Sequence, residues 1–289
     1  MRFFGTGAAD VIPSPFCDCP ICRDARIRPE HRRLRSAFLL DDRNLIDCGP
    51  DISASAMLAG ADLSNVRNIF ITHTHEDHFC PSNAGVLRMS AVRRNMPADV
   101  YMSEAAYESC VTALGRLGKD YAWTDAMRGV SEEIVRLHTV RTGERFFTDG
   151  YSVLAVPTTH RVSETECAVN YLFERDGRKL LYACDTGLYP EESKELLRGT
   201  GADILIMDAT WGSLSPADRP SINLRSHLNA ETFAKQLGDF LEAGIIREDT
   251  KVYATHINHF NRFYPEQYQE WFDRHTPFDV KVASDGMEI

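Results

Sequence analysis

The chain has 289 residues but no run of 18 apolar residues, and its N-terminus lacks the apolar segment of a secretory signal. The first absence excludes a transmembrane helix on sequence grounds and predicts no membrane partner. The second predicts a cytoplasmic location. No repeat, low-complexity tract or linker interrupts the sequence, which predicts one domain over residues 1–289.

Positive charge is scarce and dispersed. The chain carries 32 Lys and Arg against 42 Asp and Glu, for a net charge of -10, and no uninterrupted basic run exceeds two residues. Because neutralisation of phosphates drives binding to long nucleic acids, this composition argues against a nucleic-acid partner. A small anionic substrate stays compatible with it, since local charge can oppose the net charge.

Cysteine, in contrast, is plentiful, with eight residues. In a reducing compartment they are expected as metal ligands or core thiols rather than disulfides. Cys17, Cys19 and Cys22 lie within six residues and offer three thiolates to a zinc ion, which needs a fourth ligand; His31 is the nearby candidate in sequence. The other five are scattered and predicted to be mostly buried: Cys48, Cys80, Cys110, Cys167 and Cys184.

Strand and helix patterns are mixed along the chain, which predicts sheets covered by helices. Turn residues predict two hairpins, and residues 104–135 show an irregular helical pattern that makes them a candidate lid. A second helix pattern has Asn229 as its N-cap and Phe233, Leu237, Phe240 and Leu241 on one face. The predicted hairpins pair 36–40 with 45–47 and 167–174 with 179–184, further strands are expected at 66–72, 153–156, 204–207 and 252–255, and helices at 188–198 and 229–243.

The segment from His73 to His78 reads His-Thr-His-Glu-Asp-His and follows a buried strand pattern. In an extended chain, His73, His75 and Asp77 would point to one side, and His78 would turn back at the start of the helix suggested by residues 86–89. Imidazole and carboxylate ligands suit zinc, manganese or iron. Four such ligands exceed the needs of one catalytic metal, so the motif predicts two ions.

Further polar residues follow other predicted strands, in the order His160, Asp185, Asp208 and His256. Strand ends on one edge of a sheet can assemble a site from distant parts of the sequence. These residues are therefore expected to converge on the His73–His78 motif. Taken singly, each is more often a turn former or a hydrogen-bonded polar residue.

The motif and the later His, Asp and His resemble the metallo-β-lactamase superfamily, whose strand-and-glycine turn is similar to residues 45–49. The resemblance implies an α/β fold, a four-layer αβ/βα sandwich of two mixed β-sheets flanked by helices. It implies that His73, His75 and His160 hold one ion, that Asp77, His78 and His256 hold the other, and that Asp185 bridges them. The two divalent ions would be Mn²⁺ or Zn²⁺.

Three further segments resemble the phosphoribosyl 1,2-cyclic phosphate phosphodiesterase family of the bacterial carbon–phosphorus lyase pathway. They are Gly5-Thr6-Gly7 with the cysteine motif, residues 255–259 and residues 285–289. The pyrroloquinoline quinone biosynthesis B protein is similar at the cysteine motif and shares the fold. This resemblance implies that His259 completes a structural zinc site with Cys17, Cys19 and Cys22, and that the protein is a homodimer.

The implied activity is a phosphoric diester hydrolase acting on a small cyclic phosphodiester. Asp77 and His227 are assigned catalytic roles, and Asp208 is expected to orient a ligand histidine or to form a structural turn. Arg161, Arg225 and Arg262 would contact a sugar phosphate or remain solvated surface charges. The alternatives are a tRNA 3′-processing nuclease, a quinone-cofactor biosynthesis protein of the same fold, or a non-enzymatic binding protein.

Overall fold

The structure is a computed structural model that describes residues 1–121 and 135–289. Two mixed β-sheets lie face to face. The first has six strands in the order β1 to β6, antiparallel across β1–β2–β3 and parallel from β3 to β6. Its strands are β1 (Arg2–Gly5), β2 (Ala37–Asp41), β3 (Asn44–Ile46), β4 (Asn68–Phe70), β5 (Ala98–Ser103) and β6 (Val135–Val140).

The second sheet has seven strands in the order β13-β12-β11-β10-β9-β8-β7. The strands from β10 to β13 are parallel, and those from β7 to β10 are antiparallel. Its strands are β7 (Arg145–Thr148), β8 (Tyr151–Arg161), β9 (Cys167–Arg175), β10 (Arg178–Ala183), β11 (Ala202–Asp208), β12 (Ile246–Thr255) and β13 (Val280–Val282).

An aromatic core joins the two sheets. Phe70 of β4 meets Phe173 of β9 edge to face, with ring centroids 4.9 Å apart, and both side chains are fully buried. Such pairs add about 0.5–1.5 kcal/mol to the free energy of burial. Phe3 and Phe38 of the first sheet and Tyr171 and Tyr182 of the second belong to the same core.

Helices cover the outer faces, which gives the predicted four layers. The helices at residues 52–58 and 104–121 pack on the first sheet through Ile52, Ala106 and Cys110. Phe233 and Phe272 lie against the second sheet. The described residues form α1 (Pro20–Ile27), a 3₁₀ turn (Pro29–His31), α2 (Ile52–Leu58), α3 (Asn83–Arg94), α4 (Glu104–Tyr121), α5 (Glu191–Leu197), α6 (Ala230–Glu242) and α7 (Pro265–His275).

Both predicted hairpins are present, as β2–β3 and β9–β10. Asn229 caps α6 as predicted: its side chain accepts a hydrogen bond from the Thr232 amide at 2.8 Å. Leu241, predicted on the apolar face of that helix, is instead 37% exposed. The segment proposed as a lid contains α4; residues 122–134, which it also included, lie outside the described residues.

Three parallel strands of the second sheet set up the site. Strands β10, β11 and β12 run side by side in the same direction, so their C-terminal ends meet at one edge. Asp185 lies two residues beyond β10, Asp208 is the last residue of β11, and His256 directly follows β12. None of the helices among residues 1–121 and 135–289 is both long enough and apolar enough to cross a membrane.

Candidate metal centre

The motif leaves its strand earlier than predicted. Strand β4 ends at Phe70, and the segment from His75 to His78 forms a turn in which the His78 amide donates to the His75 carbonyl at 3.0 Å. Two expectations are therefore wrong. Asp77 does not line the same side as His73 and His75 through strand alternation, and His78 lies in the turn rather than at the start of α3, which begins at Asn83.

The turn separates the motif into two groups of ligand atoms. In the first, His75 Nδ1 lies 3.0 Å from His73 Nε2 and 3.0 Å from His160 Nε2. In the second, His78 Nε2 lies 3.2 Å from Asp77 Oδ2 and 3.4 Å from His256 Nε2. These are the two ligand sets that the resemblance implies, and each combines residues from both sheets.

Asp185 stands between the two groups. Its Oδ2 lies 3.6 Å from Nε2 of both His73 and His160, which belong to the first group. Its Oδ1 lies 3.0 Å from His256 Nε2 and 3.3 Å from His78 Nε2, which belong to the second. One carboxylate thus presents one oxygen to each group, as a bridging ligand must.

The charge balance of the site fits two divalent cations. Asp47, Asp77, Asp185 and Asp208 are all buried in it. Burial raises the pKa of Asp185, but the charges on His256 and His78 outweigh burial and hold its pKa well below its usual range. Burial lowers the pKa of His78, yet Asp185, Asp77 and Asp47 raise it well above its ordinary value. The carboxylates therefore favour positive charge where the ligand atoms converge, and bound metal ions would supply it.

The far nitrogen is also fixed in four of the five histidines of the two groups, His73, His78, His160 and His256. His78 Nδ1 lies 2.7 Å from Asp47 Oδ2, and His160 Nδ1 donates to the Ser226 carbonyl at 3.1 Å. His256 Nδ1 lies 2.8 Å from Thr210 Oγ1. Such partners set the orientation and tautomer of a ligand imidazole.

Asp47 was not identified from the sequence as part of the site, although the sequence around it carries a signal. Its carboxylate accepts from the Thr72 amide at 2.8 Å as well as holding His78. Asp47 has a φ of 61°, and Gly49 follows because a Cβ there would come within 2.0 Å of the Asp77 carbonyl oxygen. The sequence signal was an acidic residue directly after a buried strand and two residues before a glycine, a pattern that fits a residue holding the motif loop.

His227 lies beside both groups. Its Nδ1 is 2.7 Å from Asp208 Oδ2, and its ring centroid is 4.6 Å from that of His160 and 5.2 Å from that of His256. Burial lowers the pKa of His227, but Asp208, followed by Asp185 and Asp77, raises it, so the net shift is upward. The prediction that Asp208 orients a ligand histidine is thus modified: Asp208 bonds His227 directly and reaches His256 through Thr210.

A second cluster joins the N-terminal segment to the loop after β12. Cys17, Cys19, Cys22 and His259 bring their ligand atoms within 4.8 Å of one another, with Cys19 Sγ 3.6 Å from His259 Nδ1. The Cys19 amide lies 3.4 Å from Cys17 Sγ, and this hydrogen bond lowers the pKa of Cys17. Burial raises the pKa of Cys22 to about 12, so its ionisation requires a nearby cation. Three sulfurs and a nitrogen fit a closed zinc site.

His31, the local alternative for the fourth ligand, lies elsewhere. Its Nδ1 is 2.6 Å from Asp24 Oδ2, and its Nε2 is 3.0 Å from Glu266 Oε1. Of the scattered cysteines, Cys110 and Cys184 are buried as predicted, and Cys48, Cys80 and Cys167 are half-buried.

The arginines proposed to contact a phosphate all lie at exposed positions. Arg262 pairs with Asp218 at 3.0 Å, and Arg161 donates to the Glu164 carbonyl at 3.3 Å. These contacts engage both guanidinium groups with other parts of the protein. A role for Arg161, Arg225 or Arg262 in substrate binding stays a prediction.

Several solved structures share this fold. A diphosphatase of the PhnP family aligns over 100% of this chain and 96% of its own, with a TM-score of 0.71 and 23% identity. Zinc-bound PqqB from Methylobacterium extorquens aligns over 99% and 98%, with a TM-score of 0.68 and 21% identity. Human tRNase Z, short form, aligns over 99% and 96%, with a TM-score of 0.57 and 21% identity.

Curated relatives match shorter segments. Ribonuclease Z of Archaeoglobus fulgidus is 31% identical over 127 residues, which is 44% of this chain and 38% of that protein. Ribonuclease Z of Acaryochloris marina is 30% identical over 119 residues, 41% of this chain and 34% of that protein. The chain thus spans little more than a third of the length of these relatives.

The family comparison covers most of the chain. Residues 42–257 match the beta-lactamase superfamily domain, and this span contains all six residues of the two groups and Asp185 between them. The predicted four-layer sandwich is confirmed, and the match agrees with the prediction of a metal-dependent hydrolase. The chain belongs to the metallo-β-lactamase superfamily.

Proposed function

We propose that the protein is a metal-dependent phosphodiesterase that hydrolyses a small cyclic phosphodiester similar to phosphoribosyl 1,2-cyclic phosphate. One observation carries the proposal: Asp185 presents one oxygen to each of two separate ligand groups. Two divalent cations held there would activate a water molecule and neutralise charge on the phosphoryl oxygens. The protein residues then have to place the ester and supply a proton to the leaving oxygen.

His227 is suited to the proton transfer. Its Nδ1–H donates to Asp208, which leaves Nε2 to carry the proton that the leaving oxygen needs. The upward shift of the His227 pKa, caused by Asp208 against the opposing effect of burial, favours this protonated form. Asp208 also accepts from the Leu228 amide at 3.0 Å, so the carboxylate is fixed relative to the ring that it orients.

The proposed substrate class rests on three supports. The cysteine motif and the segments at 255–259 and 285–289 resemble the cyclic phosphodiesterase family. A member of the PhnP family shares the fold over the whole chain. The net charge of -10 disfavours a long polyanion but not a small ester held at a cationic centre. A small anionic phosphodiester is the proposed partner, and a second copy of the chain is proposed from the resemblance.

The test is turnover of a ribose 1,2-cyclic phosphate and of bis-p-nitrophenyl phosphate by the protein loaded with Mn²⁺ or Zn²⁺. We expect Asp185→Ala and His75→Ala to lower kcat/KM at least about 100-fold, because even partners of metal ligands contribute 10–100-fold. Glu76→Gln is the matched control, since Glu76 is exposed within the same motif. Undiminished turnover in both ligand variants would refute the proposal.

A second candidate function is tRNA 3′ processing. The 31% identity to ribonuclease Z of Archaeoglobus fulgidus favours it, and the acidic composition disfavours it. Cleavage of a precursor tRNA, with an affinity that falls steeply as salt is raised, would support the nuclease. Efficient ring opening of the cyclic ester without tRNA cleavage would support the leading proposal.

A further inference from the structure

Glu166 is a buried carboxylate that the mechanism above does not use. It is fully buried, it immediately precedes β9, and the β8–β9 hairpin carries the ligand His160 near its tip. Charged side chains are rarely buried without partners, since burial of an unpaired carboxylate costs several kcal/mol. The identity of its partners therefore indicates what it does.

The Glu166 carboxylate accepts three hydrogen bonds, two from Thr74 and one from Ser109. The Thr74 amide donates to Glu166 Oε1 at 2.8 Å, and the Thr74 hydroxyl donates to Oε2 at 2.6 Å. Ser109 Oγ, on α4, donates to Oε2 at 2.8 Å. Thr74 lies between the proposed ligands His73 and His75, so the carboxylate hydrogen-bonds the residue that separates the two imidazoles.

The hairpin end of this contact is also fixed. The Val162 and Ser163 amides donate to the Glu166 carbonyl at 3.0 and 3.2 Å, and Ser163 Oγ accepts from the Glu166 amide at 3.0 Å. Glu166 is thus held to the turn that follows His160. The first group takes two ligands from the motif loop and one from this hairpin, and Glu166 connects the two segments.

We infer that Glu166 is a positioning residue for the first metal ion, because it sets the spacing of His73 and His75 and locks the motif loop to the hairpin that carries His160. This inference rests on the two-metal centre of the proposed function. The second group has different supports, Asp47 behind His78 and Thr210 behind His256. Loss of Glu166 should therefore affect the two ions unequally.

The decisive variant is Glu166→Gln, because glutamine keeps the shape but can accept hydrogen bonds only at its single oxygen. We expect a roughly 10–100-fold loss of affinity at the first metal site, measured by titration of metal-free protein with Zn²⁺ and Mn²⁺, and little change at the second. Glu164→Gln is the matched control, since Glu164 is exposed two residues away in the same turn.

A second measurement does not depend on metal. In the metal-free protein, Glu166→Gln should accelerate amide hydrogen exchange in a peptide covering residues 73–79, because one oxygen cannot accept from the Thr74 amide and from both hydroxyls as the two carboxylate oxygens do. Glu164→Gln should not accelerate it. Thr74→Val, which removes only the hydroxyl, should be less than additive with Glu166→Gln on metal affinity. Thr74→Ser should retain most of the affinity.

The results separate this inference from the function proposed above. If the unaltered protein binds one ion at each of the two ligand groups, and Glu166→Gln binds both with unchanged affinity and unchanged exchange at 73–79, the positioning role is refuted. An equal loss at both sites would also refute it, since that indicates a general loss of structure. If the unaltered protein binds two ions but does not open the cyclic ester, only the proposed substrate is refuted.

Discussion

At the residue scale, the candidate site is a set of imidazoles whose positions are determined from two sides. In four of the five histidines of the two groups, one nitrogen faces the converging ligand atoms and the other contacts a protein group such as Asp47 or Thr210. His227 differs, because Asp208 holds its Nδ1 and the resemblance does not count it among the ligands, although its ring nitrogen lies within 4.8 Å of ligand atoms of Asp185, Asp208 and His256. This difference predicts a role in turnover rather than in metal retention.

His227→Gln tests that role. We expect the variant to retain two active-site metal ions but to lose about 10²–10⁴-fold in kcat, which is the usual contribution of a general acid. Elemental analysis after desalting gives the metal content, and steady-state kinetics on the cyclic ester give kcat. A variant that loses a metal ion instead would show that His227 acts as a ligand.

The convergence of the proposed ligand residues could be predicted from the sequence, but most of the residues that hold their side chains in place could not. His73, His75, Asp77 and His78 are contiguous, and the later ligands follow recognisable strands. Glu166 and Thr210 have no such local signal, since a carboxylate or a hydroxyl becomes a partner only when tertiary packing brings a donor to it. The direction of Asp77 was also not predictable, because the chain turns where an extended strand was expected.

At the scale of elements, close approach of two loops explains a glycine beside the site. Gly49 lies against the backbone of Asp77, where a Cβ would clash at 2.0 Å. Gly238, in α6, has open space around it, and an added Cβ would contact no atom within 4 Å. The same substitution should therefore have opposite effects at the two positions.

Gly49→Ala should destabilise the fold by about 1–3 kcal/mol and weaken metal binding at the second group, since the motif loop must move. Gly238→Ala should instead stabilise the protein by up to about 1 kcal/mol, because alanine is the better helix former. Urea unfolding measures both changes. Equal effects of the two substitutions would contradict the close contact between residues 49 and 77.

Element prediction succeeded where turn chemistry was local. The β9–β10 hairpin has Asp176 and Gly177 in its turn, both with positive φ, and its register is regular. Strands β5, β6, β7 and β13 were not predicted. β5 alternates buried with half-buried residues, and β7 alternates exposed with half-buried ones, so their pattern depends on neighbours that the sequence does not reveal.

At the scale of the whole molecule, both ends of the chain are fastened to each other. Asp285, near the C-terminus, accepts from Thr6 Oγ1 at 2.7 Å and from the Leu34 amide at 2.6 Å. Burial raises the pKa of Asp285 to about 6, against the opposing effects of these bonds and of Arg33. The folded state therefore keeps a proton that the unfolded chain has released between about pH 4 and pH 6.

The sign of the pH dependence follows directly. With a folded pKa above the unfolded one, this group lowers stability as pH rises from about 4 to about 6, by up to about 3 kcal/mol. Asp285→Asn cannot ionise and should lack this slope, so the stability difference between the two proteins should change across the window. Urea unfolding at pH 4, 5 and 6.5 measures it; a pH-independent difference would contradict the raised pKa.

The cysteine cluster makes a further prediction at this scale. Cys22→Ala should lower metal content by one equivalent and reduce the unfolding temperature, because a structural zinc contributes directly to folding. Cys110→Ala is the control: it also truncates a buried cysteine but lies outside the cluster, and it should keep the full metal content. Equal metal contents in the two variants would exclude a zinc site at Cys17, Cys19, Cys22 and His259.

The position of the site between the two sheets links metal binding to folding. His73, His75, Asp77 and His78 come from the six-stranded sheet, and His160, Asp185 and His256 come from the seven-stranded one. Either sheet alone would supply only part of the ligands of each ion. High metal affinity therefore requires that the two sheets pack together first. Removal of the metal ions by a chelator should consequently lower the free energy of unfolding, because the ions would link residues carried by both sheets.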